Sequence, residues 1–196
     1  MRLRDDERRA LNTAMVRYAE GDDAAFAEVY DLLAPRLVAY FQRLLGDHQR
    51  AEDIVQQTLL QMHAARRNYA TGSDVLPWAF AIGRHVLIDA RRRTRKEALF
   101  ATAEGDAAAL DLTVDRASSP DDLAETRQMA DLVRAELDRL PAAQRAAYDL
   151  VRTEGLSVAQ TAEILGTTPT AVKLRVHRVY QMLRGLLGAA ERPATP

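Results

Sequence analysis

Apolar residues recur along most of this chain at the spacing of a helix face, and nowhere does a run of alternating β-branched residues appear between turn signals. That pattern predicts an all-α fold. Its clearest stretch sets Ala51, Ile54, Val55, Thr58, Leu59 and Met62 at i, i+3, i+4, i+7, i+8 and i+11, one stripe that must face a core. Gly46 and Asp47 are expected to end one helix and cap the next. Upstream, Asp22 or Asp23 is expected to cap a helix that buries Phe26, Val29, Tyr30, Leu33, Leu37, Phe41 and Leu44, with Pro35 as a break or kink. Downstream, Tyr69 to Asp74 reads as a loop, because Thr-Gly-Ser-Asp offers turn chemistry and an N-cap before Pro77 in the first turn of a long helix. That helix is expected to end in the Arg91 to Lys96 run.

Three or four helices between about residues 10 and 95 can enclose one small core. The composition then turns Ala/Asp/Ser-rich through Ser118-Ser119-Pro120, so residues 97–125 read as a linker. Periodicity resumes with Met129, Leu132, Val133, Leu137 and Leu140, stops, and restarts with Pro141 as the first residue of a helix leading to Tyr148 and Val151. Ser157-Val158-Ala159-Gln160 has the capping-box form, in which the Ser hydroxyl and the Gln amide each satisfy an orphaned backbone N–H. Gly166 closes the short helix that follows, and Thr168 and Pro169 open another that runs to about Leu187. Two helices joined by a tight turn around a glycine form a helix-turn-helix. The expectation is two small helical domains, 10–96 and 126–188, joined by the acidic linker 97–125 and followed by a tail, 189–196.

Charge separates along the chain in a way that the net charge of −1 conceals. From Ile82 to Lys96 six basic residues face one acid; from Glu97 to Glu125 eight acids face one arginine; from Thr168 to Leu187 there are four basic residues and no acid. Two cationic segments thus flank an anionic one. One or two basic residues at a helix C-terminus merely favour the macrodipole, but five between Arg91 and Lys96 exceed that need and suit a phosphate backbone. In the helix-turn-helix, the first residues of the second helix face a major groove, where Arg can pair bidentately with guanine. Thr168, Thr170, Lys173, Arg175, His177 and Arg178 are therefore the candidate DNA contacts, with Thr170, Lys173 and Arg175 at or near bases and Arg178, with Arg184, nearer phosphates.

Other chemistry is thinly supplied. Without cysteine there is no disulfide, thiol nucleophile or Cys-ligated zinc, and the four histidines lack metal-ligand spacing. No phosphate loop, nucleophile elbow or isolated carboxylate pair appears, so neither catalytic residue nor cofactor nor metal is expected. The longest uncharged apolar stretch, Val75 to Gly83, is far short of the roughly 20 residues a membrane helix needs, and the charged N-terminus does not resemble a secretory signal. The expectation is a cytoplasmic protein with no direct membrane insertion.

Three blocks together carry a family resemblance: Ala51-Glu52-Asp53-Ile54-Val55-Gln56-Gln57-Thr58, Pro77-Trp78-Ala79-Phe80-Ala81-Ile82-Gly83-Arg84-His85 with Asp89 to Arg93, and Leu156 to Arg184. In this order, with an acidic linker between, they resemble the extracytoplasmic-function (group IV) sigma factors of bacterial RNA polymerase. The resemblance implies that Glu52, Asp53, Gln56, Gln57 and Leu60 meet the polymerase β′ coiled coil, and that the second domain meets the β flap. It implies that Asn68, Thr71, Ser73, Trp78, Arg84, His85, Arg91, Arg92 and Arg93 serve the promoter −10 element, the loop residues reading an extruded base. Trp78, Phe80 and Tyr69 fit a plain core role equally well, Trp78 the more so for lying near its helix start. The helix-turn-helix would read the −35 element, and an anti-sigma factor, soluble or membrane-bound, would hold the chain in check. Gly83 and His85 stand where the family more often has Ala and Asn, and Leu174 where it has a small polar residue.

Two rival readings are a stand-alone helix-turn-helix regulator that footprints an operator without polymerase, and an enzyme or adaptor with an incidental trihelical C-terminus. The second would need a pocket of convergent titratable groups.

Overall fold

Residues 3–101 and 132–190 are described by the computed structural model, and they form two units. Most of the 97–125 linker, Met129 and residues 191–196 lie outside them, as do the side chains of Arg95 and Lys96.

The first unit holds four helices: α1 (Asp5–Ala19), α2 (Ala25–Leu45), α3 (His48–Ala65) and α4 (Val75–Ala101). Phe41, Phe80, Leu11, Met15, Leu37 and Met62 are fully buried at its centre. α1 begins in the charged N-terminal run, where Asp5, Asp6 and Glu7 favour the positive end of the helix dipole. The Glu7 carboxylate accepts from the Arg4 backbone N–H at 2.9 Å. The face it buries, Leu11, Ala14, Met15 and Tyr18, contains too few large aliphatic residues to stand out by periodicity.

α2 departs from expectation in three respects. Neither Asp22 nor Asp23 is its N-cap; Ala24 is, with no side-chain cap. Asp22 is held instead by Arg17, at 3.0 Å from Nε and 2.7 Å from Nη2, and that guanidinium, with help from the Ala24 and Ala25 amides, lowers its pKa. Pro35 neither breaks nor ends the helix, because it faces solvent while Leu33, Ala34 and Leu37 pack on either side of it. Tyr30 is 49% exposed and Phe26 and Leu44 only partly buried; Ala25, Ala34, Tyr40 and Leu45 join the core in their place. α2 lies against both α1 and α3, so two flanks are covered rather than one stripe.

α3 follows the sequence closely. Gly46 takes the left-handed conformation (φ 71°), the Asp47 carboxylate accepts from Arg50 N at 3.1 Å, and all six residues of the stripe are buried. α4 continues past Lys96 to Ala101, because Glu97, Ala98 and Leu99 are good helix formers with no Gly or Pro among them. At Gly83 it comes so near α2 and α3 that an added Cβ would lie 2.7 Å from Phe41 Cζ and 3.2 Å from Thr58 Oγ1.

In the second unit residues 132–138 are helical, followed by α5 (Ala142–Tyr148), a π turn (Asp149–Thr153), α6 (Val158–Leu165) and α7 (Pro169–Ala190). Pro141 is the N-cap of α5 rather than its first residue, with ψ at 134°. Ala147, Ala162, Val172 and Val176 form the core, with Val151, Val158, Leu165 and Tyr180 packed around it. The capping box is present: Gln160 N donates to Ser157 Oγ at 3.1 Å and Ser157 N to Gln160 Oε1 at 2.9 Å. Gly166 (φ 56°) ends α6, and Thr168 Oγ1 accepts from Ala171 N at 3.1 Å to open α7. Ser157→Ala should lower the stability of the full chain by about 1 kcal/mol, read as faster amide exchange confined to α6 and its packing partners.

Candidate nucleic-acid and partner interfaces

A groove of about 760 Å³ runs along the exposed side of α3, walled by α1 and α2. It brings together Glu52, Asp53, Gln56 and Leu60; Gln57, though exposed, is outside its lining. Leu60 is 55% exposed, an aliphatic side chain left open beside acids and amides. The opposite wall is aromatic, with Tyr18 and Phe26 ring centroids 5.1 Å apart and Phe26 and Tyr30 6.3 Å apart. The Arg66 guanidinium lies 5.5 Å from the Tyr18 ring centre, and the Tyr18 hydroxyl meets His63 Nδ1. Burial pushes the Tyr18 phenol up, outweighing the opposing pull of Arg66, so it stays a hydroxyl at neutral pH. Tyr18, Phe26 and His63 escape sequence reasoning because the groove joins three helices. Tyr30, like Phe26, reads in the sequence as a core residue of its helix, whereas it is 49% exposed on the groove wall.

The turn after α3 presents Asn68, Thr71 and Ser73 to solvent, with Asn68 in a short 3-10 turn (Arg66–Asn68). Beneath them Tyr69 is buried, its hydroxyl donating to the Ser73 carbonyl and its ring 5.5 Å from that of Trp78. Burial, then the charge of Asp74, raises the Tyr69 pKa. Tyr69 and Phe80 are thus core aromatics, whereas Trp78 is half-buried. The turn is tied to α1: Arg8 pairs with Asp74, and Val75 N donates to Asn12 Oδ1 at 3.0 Å. Arg8 and Asn12 thus hold this turn to α1, contacts that leave no mark in the local sequence.

Along α4, Arg84 and Arg91 are seven residues apart, as are His85 and Arg92, so each pair shares a side of the helix. His85, Arg91, Arg92 and Arg93 are exposed and Arg84 partly so. Arg93 continues the line of buried Val86 and stands apart from the other four.

On α7, Val172, Val176 and Val179 face the core. At about 100° per residue, Thr170, Leu174 and His177 lie opposite that line, with Lys173 and Arg178 flanking them. All five are exposed, as is Thr168. Arg175 is different. It sits on the shoulder of the helix, beside the core line and partly buried. Among the described residues, no group of three or more His, Cys, Asp or Glu side chains is arranged to hold a metal, and no helix is long and apolar enough to cross a membrane.

A helix-turn-helix with a cationic outer face, joined in one chain to a helical unit bearing a second basic surface, defines a modular DNA-binding transcription protein. The Sigma-70 region 2 family matches residues 29–97 and the Sigma-70 region 4 family residues 130–183. The RNA polymerase sigma factor CarQ of Myxococcus xanthus is 31% identical over 177 residues, covering 90% of this chain and 97% of that protein. The ECF RNA polymerase sigma factor SigF of Caulobacter vibrioides is 33% identical over 186 residues, covering 92% and 95%. Among solved structures, the sigma factor RpoE of Bartonella quintana, in complex with the anti-sigma factor NepR, superposes with a TM-score of 0.65 at 26% identity, covering 85% of this chain and 98% of that one. The chain belongs to the extracytoplasmic-function sigma factors. It is a non-enzymatic subunit that binds core RNA polymerase, recognises the −10 and −35 promoter elements and promotes DNA melting; the stand-alone regulator is not favoured.

Proposed function

We propose that the α2–α3 groove receives the polymerase β′ coiled coil, with Asp53 and Gln56 hydrogen-bonding it and Leu60 seated against its apolar side. The groove carries this reading, since it combines an exposed leucine, an aromatic wall and hydrogen-bonding groups without a dense charge run. Residues 10–96, with the start of α1, act as the −10 module, residues 97–125 as an acidic tether that imitates nucleic acid near the RNA exit path, and residues 126–188 as the −35 module on the β flap. Arg84, His85, Arg91 and Arg92 follow the DNA backbone, while Asn68, Thr71 and Ser73 hold an extruded base against Trp78. Capture of that base shifts the melting equilibrium toward the open form. The protein acts in the cytoplasm, where the polymerase is. An anti-sigma factor, soluble or anchored at the membrane, silences it by covering the groove; the Bartonella quintana complex supports such control.

At the −35 element the roles first given to two arginines are exchanged: Arg178 and Lys173 reach base edges and Arg175 a phosphate. Reconstitution with sigma-free core polymerase and run-off transcription on a promoter library tests the whole. Arg178→Ala should relax base preference at one −35 position, with a loss of about 5- to 150-fold on the preferred base. Arg175→Ala should weaken all promoters alike and flatten the salt dependence. Equal behaviour of the two variants would undo the exchange.

A further inference from the structure

We infer that Leu174 reads a thymine of the −35 element through its 5-methyl group. The inference rests on the −35 reading of α7 and deepens it. Leu174 is the sixth residue of α7, about 200° round the helix from Val172, in the middle of the outward face. It is 49% exposed, with Lys173, His177 and Arg178 exposed around it. Its neighbours on that face can hydrogen-bond base edges or phosphates; Leu174 cannot.

A side chain without donor or acceptor, pressed into a major groove, strips water from whatever base edge it meets and returns no hydrogen bond. Against guanine O6 or the amino groups of adenine and cytosine it leaves a polar atom unsatisfied. Only thymine offers a matching group, the 5-methyl. Leu174 therefore selects in two ways, by apolar contact with thymine and by penalising other bases. A small polar residue at this point would do neither.

The test uses full-length protein in holoenzyme with core polymerase. A −35 block is first selected from a randomised library by run-off transcription, and each thymine in it is then replaced by deoxyuridine, which removes only the methyl. Wild type should lose about fourfold in promoter affinity at one thymine, roughly the worth of one buried methyl group. Leu174→Ala should bind the thymine and deoxyuridine promoters equally, and Leu174→Met should keep the discrimination. Putting 5-methylcytosine in place of cytosine at that position should partly restore wild-type binding. If no thymine is methyl-sensitive, or if Leu174→Ala remains sensitive, the inference is overturned while the −35 reading stands. If no upstream block is selected at all, the −35 reading fails first, and the inference with it.

Discussion

Asp53→Arg should reduce the affinity of the full-length protein for core polymerase by at least about thirtyfold, the loss expected when a central contact of roughly 2 kcal/mol or more is removed. Asp53 is exposed on α3 and lines the groove with Gln56 and Leu60, one and two turns further on, so reversal of its charge alters the surface without touching the core. Thermal unfolding should stay where it was. Gln57→Arg supplies the contrast, because Gln57 is equally exposed on the same helix yet stands outside the groove, and its effect should be several times smaller. Fluorescence titration of labelled core enzyme measures both. Wild-type affinity for Asp53→Arg would remove the groove from the polymerase interface.

The second large effect is expected inside the first unit. Phe41 is fully buried, and Phe41→Ala should cost about 3–5 kcal/mol, enough to leave a typical domain close to unfolding. Gly83→Ala alone should also destabilise. The added methyl would sit 2.7 Å and 2.8 Å from two atoms of the Phe41 ring, a crowding cost of about 1–3 kcal/mol against the roughly 1 kcal/mol that Ala gains over Gly in a helix. In the Phe41→Ala background the two ring contacts disappear, only the milder 3.2 Å approach to Thr58 Oγ1 remains, and Gly83→Ala should cost less or become stabilising. Denaturant unfolding followed by Trp78, the only tryptophan, isolates this unit. Equal effects of Gly83→Ala in both backgrounds would show that the ring and the glycine are not coupled.

The same pair explains why parts of the fold were legible and others were not. The α3 stripe, the Asp47 cap, the Ser157–Gln160 box and the Gly166 turn all depend on neighbours within a few residues, and each is found where local chemistry indicated. The Gly83–Phe41 approach spans 42 positions and leaves no local mark. α1 hid behind a charged beginning; α2 was legible as a helix, with Val29, Leu33, Leu37 and Phe41 buried as expected, but burial on two flanks blurred its cap and the edges of its apolar face. The α3 side of the groove was visible in the sequence, while its aromatic wall came from helices that only tertiary packing brings near. The outward face of α7 can be counted at about 100° per residue from Val172, which sets Arg175 on the shoulder of the helix and Arg178 further out, a distinction that charge alone does not make.

Arg8 on Asp74 and Asn12 on Val75 fasten the turn between α3 and α4 at its α4 end, and Tyr69 on the Ser73 carbonyl braces it from within. A segment so restrained has already surrendered the wandering that a slack segment gives up on gripping a nucleotide, so affinity is not drained by late ordering. On the proposed reading of this turn, Asn12→Ala, which cuts the tether to Val75 N, should shorten the lifetime of the transcription bubble.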